Sequence, residues 1–176
     1  MDHERPIEIW LSPYGGFPNS RLPVLYYPKA LRSLKGDPDA VEELFYSHGW
    51  RGAWINGVYP FDHFHSTTHE VLAVIAGEAR LRLGGPAGKS FLCETGDVLV
   101  LPAGVAHAYI HGTRDFRVLG AYPEGRSWDL RLGDPGELPV VLAHLGEVPI
   151  PKSDPLYGPS GPLVEIWTSI ARENQS

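Results

Sequence analysis

The sequence lacks the features of a disulfide-stabilised, membrane-embedded or nucleic-acid-binding protein. Its 176 residues include one cysteine, Cys93, so no disulfide can form within the chain. No apolar run approaches the ~18 residues that cross a bilayer, and the first residues lack the basic and then apolar pattern of a secretory signal. Acidic residues (21) outnumber basic ones (15), which argues against a nucleic-acid backbone as partner. We therefore expect a cytoplasmic protein with neither a membrane nor a nucleic-acid partner.

The composition favours short strands joined by many turns. Hydrophobic residues make up 43% of the chain, enough for a sizeable core, and the 20 glycines and 17 prolines exceed average usage. The length is typical of one domain. We predict a single domain over residues 1–176, with the core of a barrel at about residues 50–125.

The chemistry-bearing residues concentrate between Gly57 and His111. In a strand, residues i and i+2 point to the same side, so a strand through His63 and His65 aims two imidazoles at one point. Glu70 and His107 reach that point only if the intervening strands curl the sheet round on itself. The spacing therefore suggests a metal site and a barrel together. Five of the eight histidines lie in this stretch: His63, His65, His69, His107 and His111.

Two motifs in this stretch resemble those of the cupins. Gly57, His63-x-His65, Glu70 and Gly77 match every position of the first cupin motif.

The second motif is matched by Gly96, Pro102-x-Gly104 and His107, with one departure. The cupin motif ends in asparagine, and His111 stands at that position. The flanks, including Phe17-Pro18-Asn19 and Asp154-Pro155-Leu156, resemble a YjlB-type subgroup of cupins.

The resemblance implies an all-β fold, the double-stranded β-helix or jelly-roll barrel of the cupins. It also implies one divalent metal ion held by His63, His65, Glu70 and His107. Nitrogen and carboxylate donors suit iron, manganese, nickel, copper or zinc without choosing among them. Because N-terminal strands of cupins often pair with a second subunit, a homodimer is expected. The resemblance names no substrate.

Other residues of the stretch leave alternatives open. His69, next to Glu70, should point to the opposite face as an outer or surface residue, or serve as a substitute ligand. On a regular strand His111 shares a face with His107 and Tyr109. This makes His111 and Tyr109 candidate catalytic residues, with a packed barrel rim as the alternative.

Outside the central stretch, Asp37 and Pro38 are the start signals of one external helix. Extended N- and C-terminal arms should flank the barrel. The segment from 134 to 146 is compatible with a short helix, and Leu163–Ile170 is predicted to be a last strand.

Three functions remain possible at this level. The first is a small-molecule metalloenzyme with dioxygenase-, isomerase- or decarboxylase-like chemistry inside the barrel. The second is a non-catalytic sensor or storage module that holds a ligand through the metal. The third is a structural barrel with an empty site. Trp54 and Phe61 are expected to give the cavity apolar walls, and Tyr122 can add a hydroxyl.

Overall fold

The computed structural model describes residues 4–174 and contains two antiparallel sheets and three α-helices. The larger sheet has six strands, and the smaller has three. The strands are β1 (Ile7–Ile9), β2 (Val24–Tyr27), β3 (Trp50–Asn56), β4 (Glu70–Ala76), β5 (Glu78–Leu83), β6 (Lys89–Glu94), β7 (Val98–Leu101), β8 (His107–Gly112) and β9 (Arg117–Pro123). The helices are α1 (Pro38–Ser47), α2 (Leu138–Glu147) and α3 (Pro162–Glu173), with short 3-10 turns at Arg32–Leu34 and Pro135–Glu137.

The strand order explains how distant motifs meet. The large sheet runs β1-β2-β7-β4-β9-β3, and the small sheet runs β6-β5-β8. Because β4 and β5 are consecutive but lie in different sheets, the chain between Ala76 and Glu78 turns the corner of the barrel. The predicted all-β fold is therefore present, and β1 and β2 extend its large sheet beyond residues 50–125.

The central strands of the large sheet are buried on both faces. Leu72 and Val74 of β4 pack with Leu81 and Cys93 of the small sheet. The alternate residue Val71 faces away, in a second core that also holds residues of α1 and α3. This two-sided burial accounts for the nearly continuous apolar sequences of β4, β7 and β9.

The helix α1 begins where its start signals predicted. The Asp37 side chain accepts hydrogen bonds from the backbone N–H groups of Asp39 and Ala40, and Pro38 occupies the first helical position. Val41 and Phe45 form its buried face against the outer core.

The prediction of a strand at Leu163–Ile170 is wrong, because this segment lies within helix α3. Leu163, Ile166, Trp167 and Ile170 fall at helical spacing, and all four contact the outer core. Branched and aromatic residues are typical of strands, but packing of one face against the outer core selects a helix here.

The expectation of one external helix with extended N- and C-terminal arms is also wrong. The described residues contain three α-helices, and the segment from 134 to 146 does contain one of them, α2. The N-terminal strands add to the large sheet of their own chain, since β2 pairs with β1 on one side and β7 on the other. A homodimer stays a prediction.

The Cys93 thiol lies fully buried in β6 and should be chemically inert in the folded protein. Burial, and then the negative charge of Asp97, raises the pKa of Cys93 to about 12. Because the thiolate is the reactive form, iodoacetamide at pH 8 should leave native Cys93 unmodified and modify it after unfolding in urea. Intact-mass spectrometry measures both states, and rapid stoichiometric modification of the native protein would contradict this placement.

Within residues 4–174, the structure has no helix both long and apolar enough to cross a membrane.

Candidate metal centre

The structure brings together the four residues of the proposed ligand set. His63 and His65 lie on an extended segment between β3 and β4, Glu70 begins β4, and His107 begins β8. All four are buried, with exposures of 8% or less.

Backbone pairing on both sides of the segment sets the direction of His63 and His65. His63 exchanges two backbone hydrogen bonds with His107, of 3.2 and 2.9 Å between nitrogen and oxygen. Phe64 exchanges two with Arg131, of 3.0 and 2.9 Å. The segment is therefore locally strand-like, and its alternation turns both imidazoles to one side and Phe64 to the other.

The turn before His107 depends on a glycine. Gly104 has a φ of +97°, and a Cβ atom there would lie 2.5 Å from the carbonyl oxygen of Asn19. The Gly104 N–H donates to the carbonyl of His65 at 2.8 Å, which ties the two motifs together. A left-handed conformation and close backbone approach together require glycine at this position.

Three ligand atoms form a tight group. The available atoms of His65, Glu70 and His107 all lie within 4.8 Å of one another. The Nε2 atoms of His65 and His107 each lie 3.5 Å from Glu70 Oε1. His63 lies outside this tight group, but its ring centroid is 4.1 Å from that of His107.

The three imidazoles are held by the same kind of hydrogen bond, from Nδ1 to a backbone carbonyl. Each has its Nδ1 at a backbone carbonyl: His63 at Phe61 O (2.9 Å), His65 at Asp129 O (2.5 Å) and His107 at Val105 O (3.1 Å). Because a carbonyl only accepts, each Nδ1 carries a proton, and Nε2 is the ring nitrogen left to face the centre. Metal-binding histidines are commonly oriented in this way.

Glu70 is the member of the group whose carboxylate oxygens lack hydrogen-bond partners: within the described chain, both oxygens are buried without one. Burial opposes its ionisation, but His107 and His65 outweigh that effect and hold the pKa of Glu70 well below its usual range. A buried anion without hydrogen bonds is costly, and a cation between Glu70 and the imidazoles would remove that cost.

The imidazoles differ in their affinity for protons. Burial, and then the neighbouring His107, lowers the pKa of His63 to about 3. Burial also opposes protonation of His65, but Glu70 outweighs it and raises the pKa of His65. His63 is thus neutral at physiological pH, as a metal ligand must be.

His69 is a structural residue of the core. Its Nδ1 accepts the backbone N–H of Ala103 at 2.9 Å, and its Nε2 lies 3.1 Å from the carbonyl of Pro149. Its ring packs on Trp167 at 4.9 Å. With both nitrogens engaged, His69 points away from the centre, as its position next to Glu70 predicted, and it does not substitute as a ligand.

The prediction that His111 and Tyr109 share a face is wrong. The pairing of β8 with β5 shifts by one residue, so that Tyr109 lies opposite Leu81 and His111 lies opposite Arg80. This bulge at Ile110 reverses the alternation. His111 is exposed, and Tyr109 packs in the core between the sheets, 5.9 Å from the ring of Phe116. Neither lines the cavity at the centre, so the geometry that suggested catalysis is absent.

Sequence reasoning missed the residues that support His65. Asp129, whose carbonyl orients His65, binds Ser66 through its carboxylate: Oδ1 accepts the Ser66 N–H at 2.6 Å, and Oδ2 accepts its hydroxyl at 2.5 Å. Arg131 donates to Oδ2 at 2.9 Å. Burial opposes ionisation of Asp129, but Ser66 and Arg131 outweigh it and lower its pKa to about 2. No spacing in the sequence connects residues 126–131 to the motifs.

A cavity of about 390 Å³ opens from the centre. All four proposed ligands line it, together with Tyr122, whose hydroxyl accepts a hydrogen bond from the Trp54 indole at 2.8 Å. Trp54 thus forms a wall as predicted. Phe61 instead stacks on Tyr59 with ring centroids 4.9 Å apart. The volume is in the range of small-molecule sites.

Comparisons with known proteins agree with this fold. The family model of the cupin domain matches residues 56–122. Over 166 residues the chain is 37% identical to the uncharacterized protein YjlB of Bacillus subtilis (strain 168), an alignment that covers 93% of this chain and 98% of that protein. The chain is a cupin. The predicted resemblance to the YjlB-type cupins is confirmed.

Solved structures with a similar fold include two enzymes. This cupin is 15% identical to acireductone dioxygenase from Bacillus anthracis with a cadmium ion in its active centre, with a TM-score of 0.41 over 60% of this chain and 82% of that one. It is 22% identical to a formate complex of Lactobacillus farciminis oxalate decarboxylase, with a TM-score of 0.38 over 46% of this chain and 25% of that one. Similarity at this level carries no argument about activity.

Proposed function

We propose that this cupin binds one divalent transition-metal ion through His63, His65, Glu70 and His107, and that it acts on a small molecule in the adjoining cavity. The observation that carries the proposal is the buried, unpartnered Glu70 carboxylate facing the oriented Nε2 atoms of His65 and His107. Three neutral imidazoles and a carboxylate suit iron, manganese, nickel, copper or zinc.

Four protein ligands leave open positions on a six-coordinate ion, which is the property of a reactive site. When bound, such an ion supplies Lewis acidity, a bound water of lowered pKa or, if it is iron, a site for dioxygen.

Tyr122 is the group of the chain best placed to hold a proton beside that site. Its oxygen accepts a hydrogen bond from the Trp54 indole, and its own O–H lies where it can donate to the Glu70 carboxylate or to a ligand. Burial, and then the negative charge of Glu70, raises the pKa of Tyr122 above its usual value. The hydroxyl therefore stays protonated and can donate to an oxygen of a ligand in the cavity.

The alternative is a non-catalytic module that holds its ligand through the metal. Turnover discriminates the two: a ligand that shifts the absorption spectrum of the metal-loaded protein and yields no product favours binding alone.

Metal content is the direct test of the proposal. Protein purified without chelator and without nickel resin should contain one ion per chain by elemental analysis. At a free ion concentration of roughly 100 Kd, binding to the native state should add about 2.7 kcal/mol of stability. The melting temperature should then rise by roughly 5–10 °C over the chelator-treated protein. A melting temperature unaffected by chelator and by added metal would instead support a structural barrel.

A further inference from the structure

The cavity wall indicates which class of molecule this site accepts, an inference that rests on the proposed function. Four aromatic side chains surround the centre. Trp54 and Tyr122 are joined by a hydrogen bond, the Tyr59 ring lies 5.1 Å from that of His63, and the Trp128 ring lies 5.4 Å from that of His65.

Two of these rings keep a large exposed surface at the mouth of the cavity. Trp128 is 50% exposed and Tyr59 is 49% exposed. They lie beside different proposed ligands, so each offers exposed aromatic surface to a flat molecule in the cavity. Aromatic rings favour offset stacking or edge-to-face packing with other rings.

The wall has no positive side chain to receive an anionic group. Among the described residues that line the cavity, none is lysine or arginine. Arg82 of the neighbouring strand β5 is already committed, because its guanidinium donates two hydrogen bonds to Asp62, at 3.1 and 2.7 Å. A carboxylate or phosphate remote from the metal would therefore lose its hydration without a counter-charge.

The charge at the metal centre argues against a cationic ligand. Glu70 contributes one negative charge and the histidines are neutral ligands, so a divalent ion leaves a net positive charge. That charge repels a cationic ligand and attracts an acidic hydroxyl oxygen.

We propose that the cavity binds a small, planar hydroxyaromatic compound. Adjacent hydroxyl oxygens bind the metal and face Tyr122, while the uncharged ring lies between Tyr59 and Trp128.

Two probes with the same chelating group test this class. Catechol carries two adjacent hydroxyls on an uncharged ring, and 3,4-dihydroxybenzoate adds a carboxylate at the far end. The full-length protein is loaded with zinc, which is redox-inactive, its metal content is measured, and each probe is titrated by calorimetry without oxygen. Catechol should bind at least about tenfold more tightly, because the benzoate must desolvate its carboxylate against the apolar wall.

Matched tryptophan variants locate the binding surface. Trp128→Ala should weaken catechol binding roughly threefold to tenfold, the range expected for one lost aromatic contact. Trp10→Ala removes a tryptophan of similar exposure, 48%, that does not line the cavity, and it should leave binding unchanged. Tyr59→Ala, on the other side of the mouth, provides a second test with the same expected loss.

The outcomes separate this proposal from the metal site. If zinc is stoichiometric but catechol does not bind, or the benzoate binds as tightly, the proposed class is wrong and the metal centre stands. Equal catechol affinities in the Trp128→Ala, Tyr59→Ala and Trp10→Ala variants also overturn it. If zinc does not load, the proposed function itself fails, and this inference fails with it.

Discussion

Replacing His107 with alanine is expected to abolish metal loading while the barrel stays folded. His107 begins β8, and its Nε2 is one of three ligand atoms within 4.8 Å of one another. Loss of a group that only orients a ligand typically lowers metal affinity by roughly 10- to 100-fold. Loss of a ligand itself should lower the metal affinity by more than this, so elemental analysis after dialysis should find little metal. His63→Ala should behave in the same way.

The strand β8 supplies its own control. His111→Ala removes a histidine from the same strand, but this side chain is exposed and lies on the other face beyond the bulge. It should retain one ion per chain. Far-UV circular dichroism of both variants checks that the sheet is intact. Stoichiometric metal in folded His107→Ala would end the assignment of this ligand.

Glu70→Gln tests whether metal binding needs the negative charge of Glu70 or only a side chain of its size. The amide has nearly the same size as the carboxylate but carries no charge. Since Glu70 contributes the negative charge of the ligand set, the variant should bind metal more weakly than the unaltered protein. Because His107 and His65 hold the pKa of Glu70 below its usual range, the ionised carboxylate stabilises the metal-free fold at neutral pH, so in chelator the melting temperature of the variant should not exceed that of the unaltered protein.

Asp154→Ala is expected to destabilise the protein by roughly 3–5 kcal/mol, because several buried donors lose their acceptor at a cost of about 1–3 kcal/mol each. Asp154 is fully buried and accepts four hydrogen bonds. Oδ2 accepts from the Tyr27 hydroxyl at 2.7 Å and the Leu163 N–H at 3.1 Å, and Oδ1 accepts from the N–H groups of Leu156 at 2.8 Å and Tyr157 at 3.2 Å.

These bonds connect three parts of the fold. Tyr27 ends β2, and Leu163 lies in the first turn of α3, where backbone N–H groups have no partner within the helix. Asp154 therefore caps α3 from outside the helix and joins it to the large sheet. Alanine would remove the acceptor that these donors share in the outer core.

Urea unfolding followed by tryptophan fluorescence measures this loss, because Trp50 and Trp167 belong to the same core. Tyr27→Phe removes one of the four bonds and should cost only about 1 kcal/mol. Asp39→Ala, which removes an exposed carboxylate in the first turn of α1, should cost no more than about 1 kcal/mol. If Asp154→Ala costs no more than Asp39→Ala, the network does not stabilise α3 as described.

The metal site and the Asp154 network lie on opposite faces of the large sheet. Tyr27 belongs to the outer core with α1 and α3, whereas Leu72 lines the cavity on the inner face. Folded Asp154→Ala protein should therefore keep its metal, and His107→Ala should keep most of its resistance to urea in chelator. The two variants thus separate loss of function from loss of stability.

The sequence by itself determined the all-β fold, the cupin family and the residues His65, Glu70 and His107 that the structure brings together. Spacing carries this information, because a period of two sets the side of a strand and glycines mark the turns that bring Glu70 and His107 together. The start of α1 was also readable, since Asp37 and Pro38 act through local hydrogen bonding and a fixed backbone angle.

Only the tertiary structure decided the face of His111, the helical state of Pro162–Glu173 and the support of His65 by Asp129. A single bulge at Ile110 moves the side chains that follow it in β8 to the opposite face of the strand. No residue type at this position predicts the bulge. Packing against the outer core selected the helix α3 over a strand. The carbonyl of Asp129 contacts His65 although the two residues are 64 positions apart. Because every residue has a backbone carbonyl, the sequence could not indicate which one would make this contact.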